Sequence, residues 1–294
     1  MTRTTKDKII KWGITLIALT SVLSLFGIAI VLFTQGLPTF KFVGIWDFLT
    51  GKGWYPTHDY EPEFGILPLI MGTLWVAAGA LIIAVPLGIG AAIYISEVAH
   101  PTVKEIVKPI IELLNSIPSV VMGFFGLLIL APAVKTLFDL PVGLTVFTAS
   151  ALLGFAFLPY IVSIAEDSLN AIPMSLREAS YALGANKMET ITKVVLPAAF
   201  PGVSTAVILG AGQIIGETMI VLMVTGGAAM IPTSFFDPAR PMTATIAAEM
   251  GETVVGGDHY HSLFAIGIVL FVIIVILFIL VNFIEERFRR EKLW

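Results

Sequence analysis

Cysteine is absent from all 294 residues, which excludes a disulfide framework, a thiol nucleophile and a cysteine-held metal cluster. Charge is nearly as scarce. Asp, Glu, Lys and Arg make up 13% of the chain, against roughly 25% in soluble domains, and a net charge of -4 provides no basic surface for nucleic acid. No G-x-x-x-x-G-K-[ST] run occurs, so no loop here has the glycine and lysine cradle for nucleotide phosphates. Asp258, His259 and His261 bring ligand-type residues together, but the i, i+2 histidine spacing without a second cluster reads as solvated polar residues, and no metal is assigned. Inside the apolar runs stand Glu217 and scattered Ser and Thr without histidine, too few convergent groups for a membrane-embedded enzyme.

What the chain has instead is apolar length. Apolar residues make up 57%, the mean hydropathy is +0.94, and several runs reach the ~18 to 20 residues a helix needs to cross hydrocarbon. Six spans are expected, at Trp12 to Phe33, Ile66 to Ile95, Ile117 to Val134, Val142 to Ala165, Ala198 to Thr225 and Leu263 to Ile284. The first run follows Arg3, Lys6, Lys8 and Lys11 as a secretory signal would, but it is long and lacks a small-residue cleavage site, so it is read as a retained membrane helix.

Lys and Arg are retained on the cytoplasmic side of membrane proteins. With the N-terminus inside, that side receives Arg3, Lys6, Lys8, Lys11, Lys104, Lys108, Arg177, Lys187, Lys193, Arg287, Arg289, Arg290 and Lys292. The outside receives Lys41, Lys52, Lys135 and Arg240. Both termini are therefore expected in the cytoplasm. Two long outer segments remain: Thr34 to Gly65 with Trp46, Trp54, Tyr55 and Tyr60, and Gly226 to Ser262 with Phe235 and Phe236. Their aromatics suit either a docking surface or an interfacial belt.

Between the fourth and fifth spans lies residues 166–197, an insertion too long for a simple turn. Ser175-Leu176-Arg177-Glu178 has the form of a capping box, which starts a helix. Gly184 offers a left-handed stop, and Asn186-Lys187-Met188-Glu189 supplies a second cap for a helix running to Leu196 before Pro197. Ala182, Leu183 and Met188 make the bend apolar, as suits a knob entering a groove or a helix resting on headgroups.

Here the chain resembles a family. Glu178-Ala179-Ser180, Gly184, and then Val194, Leu196 and Pro197 are similar to the E-A-A-x-x-x-G-x9-I-x-L-P signature of ABC importer permeases, with Ser for the second Ala and Val for Ile. The resemblance implies an all-α membrane protein of six transmembrane helices in the MetI-like fold. It makes the insertion a cytoplasmic coupling helix that enters a cleft of a separate ATPase, a role carried by Glu178, Ala179, Gly184, Leu196 and Pro197. It also implies the partners: a second permease subunit, homologous or a second copy, two cytoplasmic ATPases and an extracellular solute-binding protein, all served by membrane lipid. ATP-Mg would be held by those ATPases and no cofactor by this chain. The expected divisions are an N-terminal helix and outer loop (1–65), a permease core (66–284) with the coupling loop at 166–197, and a basic tail (285–294).

A narrower resemblance, to phosphate-specific (Pst-type) permeases and to their C-type more than their A-type subunit, rests on further segments. These are Trp54 with Pro56, Phe64 to Thr73, Glu112 to Ser119 with Gly123, Gly216-Glu217-Thr218-Met219, and Asp237-Pro238 with Ala244 to Met250. It implies inorganic phosphate as cargo, with molybdate, tungstate or sulfate as rival oxyanions and a non-transporting signalling scaffold as the rival class. Glu217 is expected about 24 Å along an unbroken fifth helix, at 1.5 Å per residue from Pro201, where a lipid-facing carboxylate would cost about 3 kcal/mol. It either accepts the proton that phosphate carries or staples helices. Gln213, one turn earlier, stands where related phosphate permeases generally have Arg, so no Arg-Glu pair is carried over, and Thr218 adjoins the same path. Asn115, Ser116 and Ser119 around Pro118 read as a polar helix start, open either to pore lining or to simple capping.

Overall fold

The computed structural model describes residues 3–58 and 60–291, with side chains described for 11–58, 60–280, 282 and 283. Among the described residues six helical stretches are long and apolar enough to cross a membrane: Lys11–Lys41, Leu67–Val98, Ser119–Leu137, Val146–Asn170, Lys187–Gly216 and Asp258–Leu280. Count and order agree with the expected spans, but the fifth, expected at Ala198 to Thr225, is found at Lys187–Gly216, because the helix runs through Pro197 and breaks at Glu217. Of the expected basic tail, residues 285–291 continue the last helix, while Lys292 lies outside the described residues.

Helix α1 (Arg3–Gly36) exposes apolar side chains such as Ile17, Leu25 and Ile28 to its surroundings, as a span in lipid must. A 3-10 turn (Leu37–Lys41), α2 (Ile45–Thr50) and a two-residue antiparallel hairpin of β1 (Trp54–Tyr55) and β2 (Glu63–Phe64) follow. This segment is not one aromatic face. Trp54 is 2% exposed and packs with Phe48 and Ile66, whereas Trp46 and Tyr60 stand free. Trp54 can bury because its indole N–H reaches Glu249 at 3.0 Å.

The second span is α3 (Leu67–Ile93), started by Pro68 in its first turn and finished by a π turn (Tyr94–Val98). Next comes α4 (Pro101–Asn115), a surface helix with no counterpart among the expected elements. His100 caps it, accepting from Thr102 N, and Val103, Ile106, Val107, Ile110 and Leu114 recur on one face. Lys104 and Lys108 tie it inward, at 3.0 and 2.8 Å from Glu166. Hydrogen bonds to Asp167 and Glu166 hold the Lys108 ammonium above the usual lysine range. Because α4 exists, Asn115 and Ser116 end a helix and do not begin one. Ser116 donates its hydroxyl back to Leu113 O at 2.6 Å, and the fresh start is made by Pro118, whose fixed φ suits the position before a first turn.

The third span runs through α5 (Ser119–Phe125), a π turn (Gly126–Leu130) and α6 (Ala131–Leu137). The fourth, α7 (Val146–Asn170), starts at Thr145, whose hydroxyl accepts from Thr148 N, and it is the most enclosed helix of the six. Its closest neighbour is α3. A Cβ placed on Gly79 would lie 2.7 Å from Ser150 Cβ, and one on Gly154 would lie 2.9 Å from Ile83 Cβ. Small residues thus let two backbones approach where lipid offers no hydrophobic drive. Ser150 in turn donates to Val76 O at 3.1 Å, inside the seam.

Beyond α7 stand α8 (Met174–Ala182), α9 (Lys187–Thr190), a π turn (Ile191–Val195) and α10 (Leu196–Gly216). After them come α11 (Met219–Val224), α12 (Met242–Glu249) and α13 (Asp258–Glu291). The last helix lies along α1, with Phe33 edge-on to Phe271 at 6.3 Å. Glu249 also receives Arg240 at 2.6 Å and His259 at 2.8 Å, and His261 donates to Gln35 O at 2.7 Å. The histidines expected to be merely solvated pin the start of α13 to the ends of α12 and α1. Among the described residues there is no group of three or more potential metal ligands.

Gly79→Leu should drive a branched side chain into the α3–α7 seam and cost about 1 to 3 kcal/mol. The thermal midpoint of the purified protein should fall, while Ile82→Leu, on the open face of α3 at 68% exposure, should leave it unchanged. Equal midpoints would remove the seam from the account.

Candidate functional site

Two places gather the residues singled out from the sequence. The first is the bend of residues 166–197. Helix α8 begins one residue after Pro173, which is its N-cap in extended conformation, so Ser175 lies inside the helix and the expected Ser175–Glu178 capping box does not form. The physical reason is Pro173 itself: it disfavours helix at Ile172, which closes α7, and its carbonyl opens the new helix with Leu176 N at 3.2 Å. The second box does form. Asn186 Oδ1 accepts from Glu189 N at 2.9 Å, and Glu189 Oε2 accepts from Asn186 N at 3.0 Å. Between the two, Gly184 has φ +85°, a left-handed conformation that suits glycine.

Leu183 at 90% and Met188 at 65% exposure project from this bend, beside exposed Glu178 and Ala179. Ser180 and Thr190, joined by their hydroxyls at 2.9 Å, are buried behind it. The helix expected to stop before Pro197 continues instead. A π turn precedes the proline, with Leu196 N bonded back to Ile191 O, so the offset ladder takes Pro197 into the first turn of α10, where its missing amide does little harm. Leu196 packs on the Ala92, Val162 and Val195 cluster.

The second place is a cavity of about 550 Å³. Its walls come from the end of α4 and start of α5 (Asn115, Ser119), from α7 (Phe155, Pro159, Tyr160), and from the junction of α10 and α11 (Gln213, Glu217). Asn115, Ser119, Gln213 and Glu217 therefore meet, although about a hundred residues separate the first from the last. Ser116 and Thr218 do not join them; Thr218 turns its hydroxyl to Gly216 O at 3.2 Å. Tyr160 and the Phe155–Pro159 stretch were missed, since an aromatic inside an apolar run gives no signal of its own.

The expected continuous fifth helix is broken at this point. Glu217, with φ -65° and ψ 135°, is extended. Its Oε1 accepts from Met219 N at 2.9 Å and Ile220 N at 3.2 Å, so the carboxylate caps α11, and its own carbonyl accepts from Thr243 Oγ1 at 2.7 Å. A break at membrane depth is tolerable when its freed groups find partners and line a cavity, and both conditions hold here. Gly123 lets α5 close on α11, where an added Cβ would lie 2.6 Å from Met223 Sδ. Among the described residues Glu217 Oε2 has no hydrogen-bond partner, and the lining contains no Lys, Arg or His. The cavity is thus a partly apolar chamber with one half-committed carboxylate and amide, hydroxyl and phenol groups around it.

The model of the family described as "Binding-protein-dependent transport system inner membrane component" matches residues 84–290. The chain belongs to this family. The matched range takes in both the bend and the cavity. A Bacillus subtilis protein, "Probable ABC transporter permease protein YqgH", is 39% identical, with 93% of this chain and 89% of that one covered. A "Phosphate transport system permease protein PstC" of Mesorhizobium japonicum is 36% identical over 89% of this chain and 84% of its own length. Among solved structures, a bacterial alginate ABC transporter covers 97% of this chain with a TM-score of 0.64 at 17% identity, and the MetNI methionine ABC transporter covers 76% with 0.56 at 21%. The fold is that of ABC importer permeases.

Glu217→Ala should free the α11 amides and lower stability by about 1 kcal/mol, the usual cost of a lost cap. Glu217→Gln keeps an acceptor for both amides and should stay close to the unaltered protein. Thermal midpoints of the two variants in detergent measure the difference, and identical values would show that the cap holds nothing.

Proposed function

We propose that this chain is the permease subunit that carries inorganic phosphate across the plasma membrane in an ATP-binding-cassette importer. The observation that carries the cargo assignment is the chamber holding Glu217, with one oxygen committed to α11 and the other open. Phosphate near neutral pH retains a proton that such an oxygen can accept in a hydrogen bond, whereas sulfate has none to offer. Relatives named for phosphate transport, at 30 to 36% identity over most of the chain, support the same cargo.

On this reading the chain supplies one wall of the path and a partner permease, homologous or identical, supplies the other. The cations absent from this lining would come from that partner. The α8–α9 bend seats Leu183 and Met188 in a cleft of one of the two cytoplasmic ATPases, which hold ATP-Mg, and the outer segments receive an extracellular binding protein. The excess of Lys and Arg on one side supports cytoplasmic termini. Glu178, Ala179, Gly184, Leu196 and Pro197 act in coupling, while Asn115, Ser119, Gln213 and Glu217 act in the path.

The test is ATP-dependent uptake of labelled phosphate into vesicles holding the complete assembly, with sulfate and molybdate as competitors. Uptake inhibited by phosphate alone is the expected result. Uptake of another oxyanion would overturn the cargo and keep the permease. A verified intact complex that moved no oxyanion with ATP would favour the signalling scaffold.

A further inference from the structure

Arg177 sits one residue before the coupling glutamate, yet it points the other way, into the protein, with its side chain 10% exposed. Its guanidinium joins three elements. Nη2 and Nε donate to the Glu97 carboxylate at 2.6 and 3.3 Å, Nη2 also donates to Leu169 O at 3.0 Å, and Nη1 donates to Ile172 O at 2.6 Å. Leu169 belongs to the last turn of α7 and Ile172 to the residues just beyond it, so Arg177 occupies acceptors that the helix end leaves open. Glu97 stands in the π turn that closes the second span, and its side chain is 9% exposed. One planar fork thus binds the bend to the inner ends of α3 and α7.

The same ends are tied onward to the cavity. Asn170 Oδ1 accepts from Ser96 at 2.9 Å and from Lys104 at 2.9 Å, while Lys108 bridges Glu166 and Asp167, each at 2.8 Å. Helix α4 is held by these contacts, and its far end delivers Asn115 to the cavity wall. On the other flank Ser180 and Thr190 fasten α8 to the helix that leads through α10 to Gln213 and Glu217. The bend is therefore gripped on both sides by buried polar contacts, and the Arg177 side is the one reaching two spans at once.

We propose that the Arg177–Glu97 pair is the positioning contact through which movement of the α8–α9 bend reaches the second and fourth spans. This rests on the reading of that bend as the ATPase contact. A lysine could neutralise Glu97, but its single nitrogen cannot occupy the separate positions that Nε, Nη1 and Nη2 hold, and a glutamine at 97 would lose the charge and turn an amide NH2 toward one of the guanidinium donors. Both residues lie away from the cavity, so neither change touches the cargo.

Spatial continuity alone does not establish a route, so the test measures coupling. Glu97→Gln, Arg177→Lys and the double variant are compared with the unaltered chain in the assembled importer in vesicles, reading anion moved per ATP hydrolysed, with subunit stoichiometry checked on the same samples. Each single variant should lower that ratio about fivefold or more, the lower range of coupling between sites, while ATP hydrolysis and assembly persist. The double variant should be no worse than the more severe single one, because both remove the same contact. An unchanged ratio in both singles would overturn the proposal. So would parallel loss of assembly and hydrolysis, which would make the pair a structural staple. The cargo assignment is tested separately, because the ratio is read with whichever oxyanion the unaltered complex moves; an unaltered complex that moves none fails the importer reading first.

Discussion

A backbone inside hydrocarbon has no water to bond, so every amide and carbonyl freed from a helix must find a partner within the protein. That constraint makes the six spans helical, and it also identifies where the chain departs from regularity for a purpose. At Glu217 the fifth span stops and restarts. The amides of Met219 and Ile220 turn to the Glu217 carboxylate, and the Glu217 carbonyl turns to Thr243. The Glu217 side chain is thereby fixed in orientation by the same bonds that make the break affordable, and it is aimed at the chamber between α4, α7 and α10.

The rest of the architecture places walls around that break. Gly79 and Gly154 let α3 and α7 meet closely, which makes α7 the central post, and Gly123 brings α5 onto α11. Three π turns lie in the spans, at Tyr94–Val98, Gly126–Leu130 and Ile191–Val195. The first and third adjoin the α8–α9 bend. Such turns carry an extra residue in the helical ladder and mark places where register is already offset, which suits a joint between that bend and the spans. Glu249 gathers Trp54, Arg240 and His259, so segments separated by almost two hundred residues are fixed to one carboxylate.

The six spans and the two-helix bend were legible because length, hydropathy and capping residues act locally. Asn186 with Glu189, and Gly184, each did what the residue type dictates. Misreadings arose where tertiary partners or neighbouring elements decided. Ser175 looked like a cap, but Pro173 had already set the start of α8. Helix α4 passed unnoticed beside the stronger membrane signals, and without it Asn115 and Ser116 were taken for a helix start. Glu217 was expected on a continuous helix; nothing in Gly216-Glu217-Thr218 announces that Thr243 stands ready to accept the break. Even so, Asn115, Ser119, Gln213 and Glu217 converge on one chamber, and the α7 wall with Tyr160 is hidden in the sequence among apolar neighbours. Arg177 was read as part of a cap when its role depends on Glu97, eighty residues earlier.

The central claim is that the chamber at Glu217 is a watery anion path and not a lipid-filled gap between subunits. The absence of cysteine makes the natural chain a clean background for testing it. Gln213→Cys and, on the open face of α3, Ile82→Cys would be introduced singly into the assembled complex and treated with a small, charged, membrane-impermeant thiol reagent. The account predicts that position 213 reacts, that phosphate slows the reaction, and that position 82 stays unreactive. A residue 213 as inert as residue 82, in a complex that still takes up phosphate, would contradict it.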